Sequence, residues 1–371
     1  MLTTLASSKW NLSSPLLICI NSLAESNTSE FLTYVYLSLK NPIIVPFFSM
    51  KLYPLSFLAY GFFGDSILLT YDVAIPKLDS KQIASDATEK FLLQLEDGEK
   101  IECVLIPEQN RQTLCISTQV GCSLNCQFCL TADIGFRRNL SSAEIVGQVL
   151  YVLSHKRLKI KSAGPTLHPT LSNIVFMGMG EPLQNLENVM KSLIILSDPE
   201  GMRMSPNKIT LSTVGLVPQI KKLARCPVIP NLAISLSATT NIVRNQIIPI
   251  NRKYPIEQLL QACIEFPLKA RQRITFEYVL IDGVNDSDDD ARRLIKLLAK
   301  IKAKVNLLSL NKGKSGDLKS SSNDRMQCFQ GILVEKGVPT YIRRPRGSDI
   351  FAACGQLHLA RQEDPSLALP S

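Results

Sequence analysis

The sequence predicts an α/β fold, a partial (β/α)6 TIM-like barrel with an N-terminal accessory region. Three observations predict it. From residue 113 onward, short aliphatic runs alternate with helical periods about six times, the pattern of a parallel sheet with crossover helices. A loop with three closely spaced cysteines follows the first of these strands. Polar or glycine-rich stretches fall where later strands end, and such barrels carry their chemistry at that rim.

The elements follow in order. Residues 1–75 show no clean helical period, and their fold stays open. Residues 76–110 form a β-hairpin extension: two apolar runs, 91–95 and 101–106, flank Asp97-Gly98, a strong turn signal. Residues 111–345 make the barrel. Its first strand is 113–118. Ser141 and Glu144 form a capping box for a helix to about residue 155. Strands follow at 173–177, 208–213, 231–237, 273–281, 304–310 and 339–343. Helices lie near 185–197, 217–224, 255–266, 288–300 and 324–336. Residues 346–371 are a C-terminal segment carrying Cys354.

With 371 residues and 45% apolar content, the chain can bury a large core and is not a disordered polymer. Its formal charge is +9, which favours a polyanionic partner. The first 75 residues hold three lysines, no arginine and four acids, so the basic excess lies downstream. Arg137, Arg138, Lys312, Lys314, Arg343, Arg344 and Arg346 are the candidate phosphate contacts. The ten cysteines do not form a disulfide framework, and three clustered thiols indicate a reducing, cytoplasmic compartment. Lys51, Pro54 and Asp65 interrupt the apolar stretch 42–70, so no membrane span is expected.

Cys122, Cys126 and Cys129 stand in a C-x3-C-x2-C spacing. Structural zinc usually takes four protein ligands in two separated pairs. A cubane iron–sulfur cluster takes one thiolate per iron, so three cysteines would leave one iron open. Zinc remains the alternative on spacing alone. At the strand ends, Gly180 allows close backbone approach and Glu181 can accept from an ammonium. Ser212, Ser235, Leu236, Ser237 and Asn311 sit at three further strand ends. Cys115 precedes the cysteine loop. Taken singly, Cys115 and Cys354 read as small core residues, as do Cys19, Cys103, Cys226, Cys263 and Cys328. His155, His168 and His358 show no metal-ligand spacing.

The cysteine spacing, with Phe128 before the last cysteine, resembles the radical SAM superfamily. Residues 113–122, 135–140, 177–182 and 349–357 together resemble the RlmN family of dual-specificity 23S rRNA and tRNA adenine-C2 methyltransferases. The match covers about residues 85–360. It implies a [4Fe-4S] cluster on Cys122, Cys126 and Cys129, with S-adenosylmethionine chelated at the open iron. It implies SAM contacts from Gly180, Glu181, Ser212, Ser235, Leu236, Ser237 and Asn311, and a proton acceptor at Glu102. Cys354 would accept a methyl group and carry it as a methylene radical to adenine C2. Cys115 would release the product through a Cys115–Cys354 disulfide. The C-terminal segment must then fold back across the barrel mouth. The partners implied are 23S rRNA, tRNA and an electron donor such as flavodoxin, with the chain a monomer. Alternatives are a Cfr-like adenine-C8 methyltransferase with the same cysteines and a non-catalytic RNA-binding homologue. Residues 1–75 do not resemble the family's helical, basic accessory domain, and Ser237 stands where the family commonly has histidine.

Overall fold

The computed structural model describes residues 74–109, 111–160, 170–199, 201–311 and 318–359, with five short strands between residues 18 and 71. Of those five, Ile18–Leu23, Leu32–Leu37 and Ile43–Pro46 pair antiparallel, as do Phe57–Ala59 and Leu69–Tyr71.

The body is one large sheet. Its strands are β1 Lys77–Ile83, β2 Glu89–Gln94, β3 Lys100–Glu108, β4 Arg111–Cys115, β7 Thr170–Phe176, β8 Ile209–Thr213, β9 Asn231–Ser235, β10 Ile274–Leu280, β11 Ala303–Ser309 and β12 Thr340–Arg343, with the two-residue strand Lys159–Ile160 pairing parallel with β7. A separate ribbon, β5 Gln119–Gly121 with β6 Phe136–Asn139, brackets the cysteine loop. The sheet order is β12-β11-β10-β9-β8-β7-β4-β3-β2-β1. From β4 to β12 every pairing is parallel, and from β4 to β1 every pairing is antiparallel. The barrel is therefore open, with β12 at one edge and β1 at the other. The expected hairpin is part of this sheet, because β3 pairs with β4 from Val104↔Cys115 to Glu108↔Arg111.

The crossover helices are α1 Ser142–Lys156, α2 Leu186–Ser197, α3 Val217–Leu223, α4 Asn241–Ile247, α5 Ile256–Glu265, α6 Asp288–Leu298 and α7 Asn323–Glu335. Six strand–helix units precede β12, as the alternation predicts. β10 opens on a run covered on both faces, Ile274-Thr275-Phe276, whereas β8 and β11 alternate buried with half-buried residues. Two helix starts are fixed by capping boxes, Ser141 with Glu144 and Ser287 with Asp290. Each such cap is worth about 1 kcal/mol. The sequence reading missed α4 and the β5–β6 ribbon. Both are too short for a hydrophobic period to register. Cys103, Cys226 and Cys263 are buried as expected, but Cys328 on α7 is exposed.

Candidate functional site

The loop between β5 and β6 carries Cys122, Cys126 and Cys129. Its two ends are drawn together by the Cys122 N–H donating to Gly135 O at 3.1 Å. Gly121 has φ +74°, and a Cβ there would lie 1.6 Å from Gly135 O, so no side chain fits. The loop is pinned on two other sides. Gln127 N–H donates to Ile247 O at the end of α4, 3.0 Å, and Leu130 N–H donates to Gly355 O, 2.7 Å. Burial, above all, pushes up all three thiols, and neighbouring anions add to it. Cys122 is pushed up to about 12, and Cys126, flanked by both other cysteines, rises well above the ordinary thiol range. Three such thiols, Cys126 buried and Cys122 and Cys129 half-buried, become thiolates together only against a strong local cation. A structural zinc site usually takes four protein ligands, whereas a cubane offers each of three thiolates its own iron and leaves the fourth open. The donor set therefore fits the cluster.

The predicted strand-end residues gather beside this loop. Gly180 has φ +93°, and a Cβ would lie 2.5 Å from Gln119 Cβ. Next to it, Glu181 is 3% exposed. Its Oε1 accepts from Leu183 N–H and its Oε2 from Val214 N–H, both at 3.0 Å. Burial outweighs these bonds and pushes the carboxyl up to about 7. Ser212 is half-buried on β8, and Ser235, also half-buried, ends β9. Leu236 and Ser237 are fully buried. Ser237 is left-handed at φ 47°, its Oγ accepts from Val279 N–H at 3.2 Å, and its carbonyl accepts from Asn285 Nδ2 at 2.7 Å. Asn311, after β11, donates through Nδ2 to Cys354 O at 3.0 Å.

Arg244 on α4 organises this rim, and the sequence reading missed it. The side chain is wholly buried. Its guanidinium donates to Leu236 O at 3.0 Å, Ser235 O at 3.0 Å, Val214 O at 2.6 Å and Asn251 Oδ1 at 3.0 Å. Desolvation pulls it down to about 10, opposed by the Cys126 and Cys263 thiols. One signal could have exposed it. Arg244 is three residues from buried Ile247, on the inward face of a short helix. Glu277 was missed too. It lies on β10 opposite Asn306, whose Nδ2 donates to Oε1 at 2.9 Å, and burial raises its carboxyl.

Glu102 and Cys115 lie on neighbouring strands, and the segment carrying Cys354 reaches that part of the sheet. Cys115 ends β4 and lies opposite Val104, so Cys115, Val104 and Glu102 share one face of the sheet. The C-terminal segment folds back over that face. Gly347 N–H donates to Asp86 Oδ2 at 3.2 Å, Ser85 N–H donates to Asp349 Oδ2 at 2.9 Å, and Arg346 reaches Pro107 O at 2.7 Å. Thr131 Oγ1 donates to Leu357 O at 2.7 Å. Cys354 keeps solvent-reachable surface while protein atoms surround its thiol, as on the wall of a cleft. Burial, then Glu277, then Cys129 push that thiol up to about 11. Cys115, raised first by burial, is raised further by Cys354. Cys354 therefore stands within electrostatic reach of both Cys115 and Cys129. All nine cysteines among the described residues are free, so the Cys115–Cys354 disulfide implied by the resemblance is not formed here. In the implied cycle it exists only after product release.

Three of the proposed phosphate contacts are engaged within the chain. Arg137 pairs with Glu99 at 2.8 Å, Arg138 with Asp97 at 2.7 Å and Glu144 at 2.8 Å, and Arg346 with Asp86 at 3.6 Å. Arg343 and Arg344 are exposed, while Lys312 and Lys314 lie outside the described residues. No helix among the described residues is long and apolar enough to cross a membrane.

Residues 116–295 match the model of the Radical SAM superfamily. The chain is 51% identical to the dual-specificity RNA methyltransferase RlmN of Syntrophotalea carbinolica, covering 75% of this chain and 72% of that protein. It is 46% identical to the RlmN of Paracoccus denitrificans, covering 79% and 75%. A radical SAM methyltransferase crystal structure from Sphaerobacter thermophilus superposes with a TM-score of 0.71 at 43% identity, covering 76% of this chain and 81% of that one. With the three-cysteine loop, the open parallel barrel and this level of identity, the chain belongs to the RlmN family of radical SAM RNA methyltransferases.

Proposed function

We propose that this chain methylates C2 of adenosine in 23S rRNA and tRNA, using a [4Fe-4S] cluster and S-adenosylmethionine. The observation that carries the reading is Cys354, held on a folded-back arm within electrostatic reach of Cys115 on one side and Cys129 on the other. Adenine C2 is an electron-poor ring carbon, which does not attack a methyl sulfonium; the bound cluster and SAM supply the one-electron chemistry that avoids this.

The chain's own residues divide the remaining work. Cys122, Cys126 and Cys129 would hold the cluster, and Glu181 and the strand-end residues would orient SAM. The Cys354 sulfur takes a methyl group and presents its carbon to adenine. Cys115, as its thiolate, then bonds to the Cys354 sulfur, the bond from that sulfur to the adduct carbon breaks, that carbon keeps the electron pair and takes up a proton to become the methyl group, and the product leaves. The resulting disulfide is reopened by a reductant. Glu102 takes the proton removed from C2. The enzyme works as a cytoplasmic monomer served by a one-electron donor such as flavodoxin.

The test incubates reconstituted protein with SAM, reductant and RNA, followed by a denaturing gel. Cys354→Ala should give no protein–RNA adduct and no methyladenosine. Cys115→Ala should accumulate the covalent adduct. Mass spectrometry against C2 and C8 standards should find 2-methyladenosine. Normal turnover by either variant, or a C8 product, would overturn the proposal.

A further inference from the structure

Lys90 lies one strand away from the proposed chemistry and is not among the residues assigned to it above. It is on β2 opposite Val104, while Val104 is opposite Cys115 on β4. Side chains directly opposite one another share a face, and so do residues two apart on a strand. Lys90, Glu102 and Cys115 therefore project from the same side of the sheet. A lysine there is unusual, since lysines are almost never fully buried without a partner.

Its partners are a carboxylate and a main-chain carbonyl. The Lys90 ammonium is 3.1 Å from Glu102 Oε1, with only 4% of the Lys90 side chain and none of the Glu102 side chain exposed. Glu102 Oε1 is buried and accepts no hydrogen bond, so the contact is an ion pair. The ammonium also donates to Phe351 O at 3.4 Å. On the far side, Glu102 Oε2 accepts from His358 N–H at 2.9 Å. One buried pair thus touches the Cys354 arm twice, three residues before Cys354 and four residues after it.

The arm is strained where Lys90 grips it. Phe351 has φ 54° and ψ 43°, the left-handed region that a bulky side chain rarely occupies. Such a conformation persists only where the surroundings over-determine it. The Lys90 contact to its carbonyl and the Phe351–His358 ring contact, 5.4 Å between centroids, are two of those determinants.

We propose that Lys90 is a positioning residue: its ammonium pairs with Glu102 and holds the Phe351 carbonyl, fixing the arm so that Cys354 stays between Cys115 and the cysteine loop. The inference rests on the proposed function for its catalytic consequence, but the clasp itself can be read without turnover. Removing Lys90 leaves the buried Glu102 carboxylate without its ion-pair partner and releases the Phe351 carbonyl, so it disturbs Glu102 and the arm together.

The experiment compares the full chain with Lys90→Met, which keeps length without charge, Lys90→Arg, and the neutral pair Lys90→Met/Glu102→Gln. Hydrogen–deuterium exchange is followed over residues 347–359. Lys90→Met should lose about tenfold or more protection in that segment while β8–β11 exchange as in the wild type. In reconstituted enzyme its kcat should fall about tenfold or more with KM for RNA nearly unchanged, as expected when reacting groups are misplaced rather than binding lost. Lys90→Arg should restore most of both. If Lys90→Met does not fold, the neutral pair, which leaves no unpaired buried charge, should fold with a loosened arm. Wild-type exchange across 347–359 in Lys90→Met or in the neutral pair overturns the proposal, as does a matched fall in RNA affinity that accounts for the lost rate. Wild-type protein that makes no methyladenosine while Lys90→Met still loosens the arm would overturn the assigned reaction and leave the clasp standing.

Discussion

Glu181 shows how burial sets the behaviour of one side chain. Two backbone N–H groups favour its charged form, yet desolvation outweighs them and its carboxyl sits at about 7 instead of 4.5. In the unfolded chain the group returns to its ordinary value. Its contribution to stability is therefore full below about pH 4.5 and is lost as pH rises through about 7. Glutamine imitates the neutral acid at every pH. In urea titrations of the chain purified without metal, the stability of Glu181→Gln relative to the wild type should rise by about 3 kcal/mol between pH 4 and pH 8. A difference that does not change over this range would show that the carboxyl is not shifted. Such a residue is legible in sequence as a polar group after a strand. Its ionisation is not, because desolvation depends on elements more than thirty residues away, as the bond to Val214 shows.

Helices and strands differ in how plainly they could be read. The long elements follow from periodicity: α1 begins at the capping box expected from Ser141 and Glu144, and β8, β9 and β10 lie within two residues of the expected limits. Helix α4 was invisible, being seven residues long with only two of them buried, Arg244 and Ile247. Its function is to bring one guanidinium under the ends of β8 and β9. Arg244 satisfies the carbonyls of Val214, Ser235 and Leu236, so its loss strands one buried and two partly buried acceptors at once. Each such group costs about 1–3 kcal/mol when left unpaired. Arg244→Met should therefore lower stability by roughly 3–5 kcal/mol in urea denaturation. Arg244→Lys should recover only part of this, since an ammonium cannot serve the fork of acceptors a guanidinium reaches. A loss below about 1 kcal/mol for Arg244→Met would mean that water replaces these bonds and that α4 does not hold the rim.

Across the whole molecule, the positive charge anticipated for RNA is unevenly available. The net charge of +9 steers a polyanion towards the chain but does not say where it lands. Arg137 and Arg138 beside the cysteine loop already face Glu99, Asp97 and Glu144. Such exposed pairs add little to stability, yet they must open before either guanidinium can take a phosphate. Arg344 is exposed just past β12, beyond the edge of the sheet and on the approach to the Cys354 arm. Sequence counted all these arginines alike, because an acidic partner forty residues away leaves no local trace. Anisotropy titrations with an rRNA hairpin at rising salt distinguish them. Log affinity should fall linearly with log salt, and Arg344→Ala should reduce the slope by about 1. Arg137→Ala should leave the slope unchanged within error, because its charge is already balanced by Glu99. Equal slope losses for the two variants would mean that the Arg137 pair opens on RNA, moving the docking surface from the β12 edge to the cysteine loop.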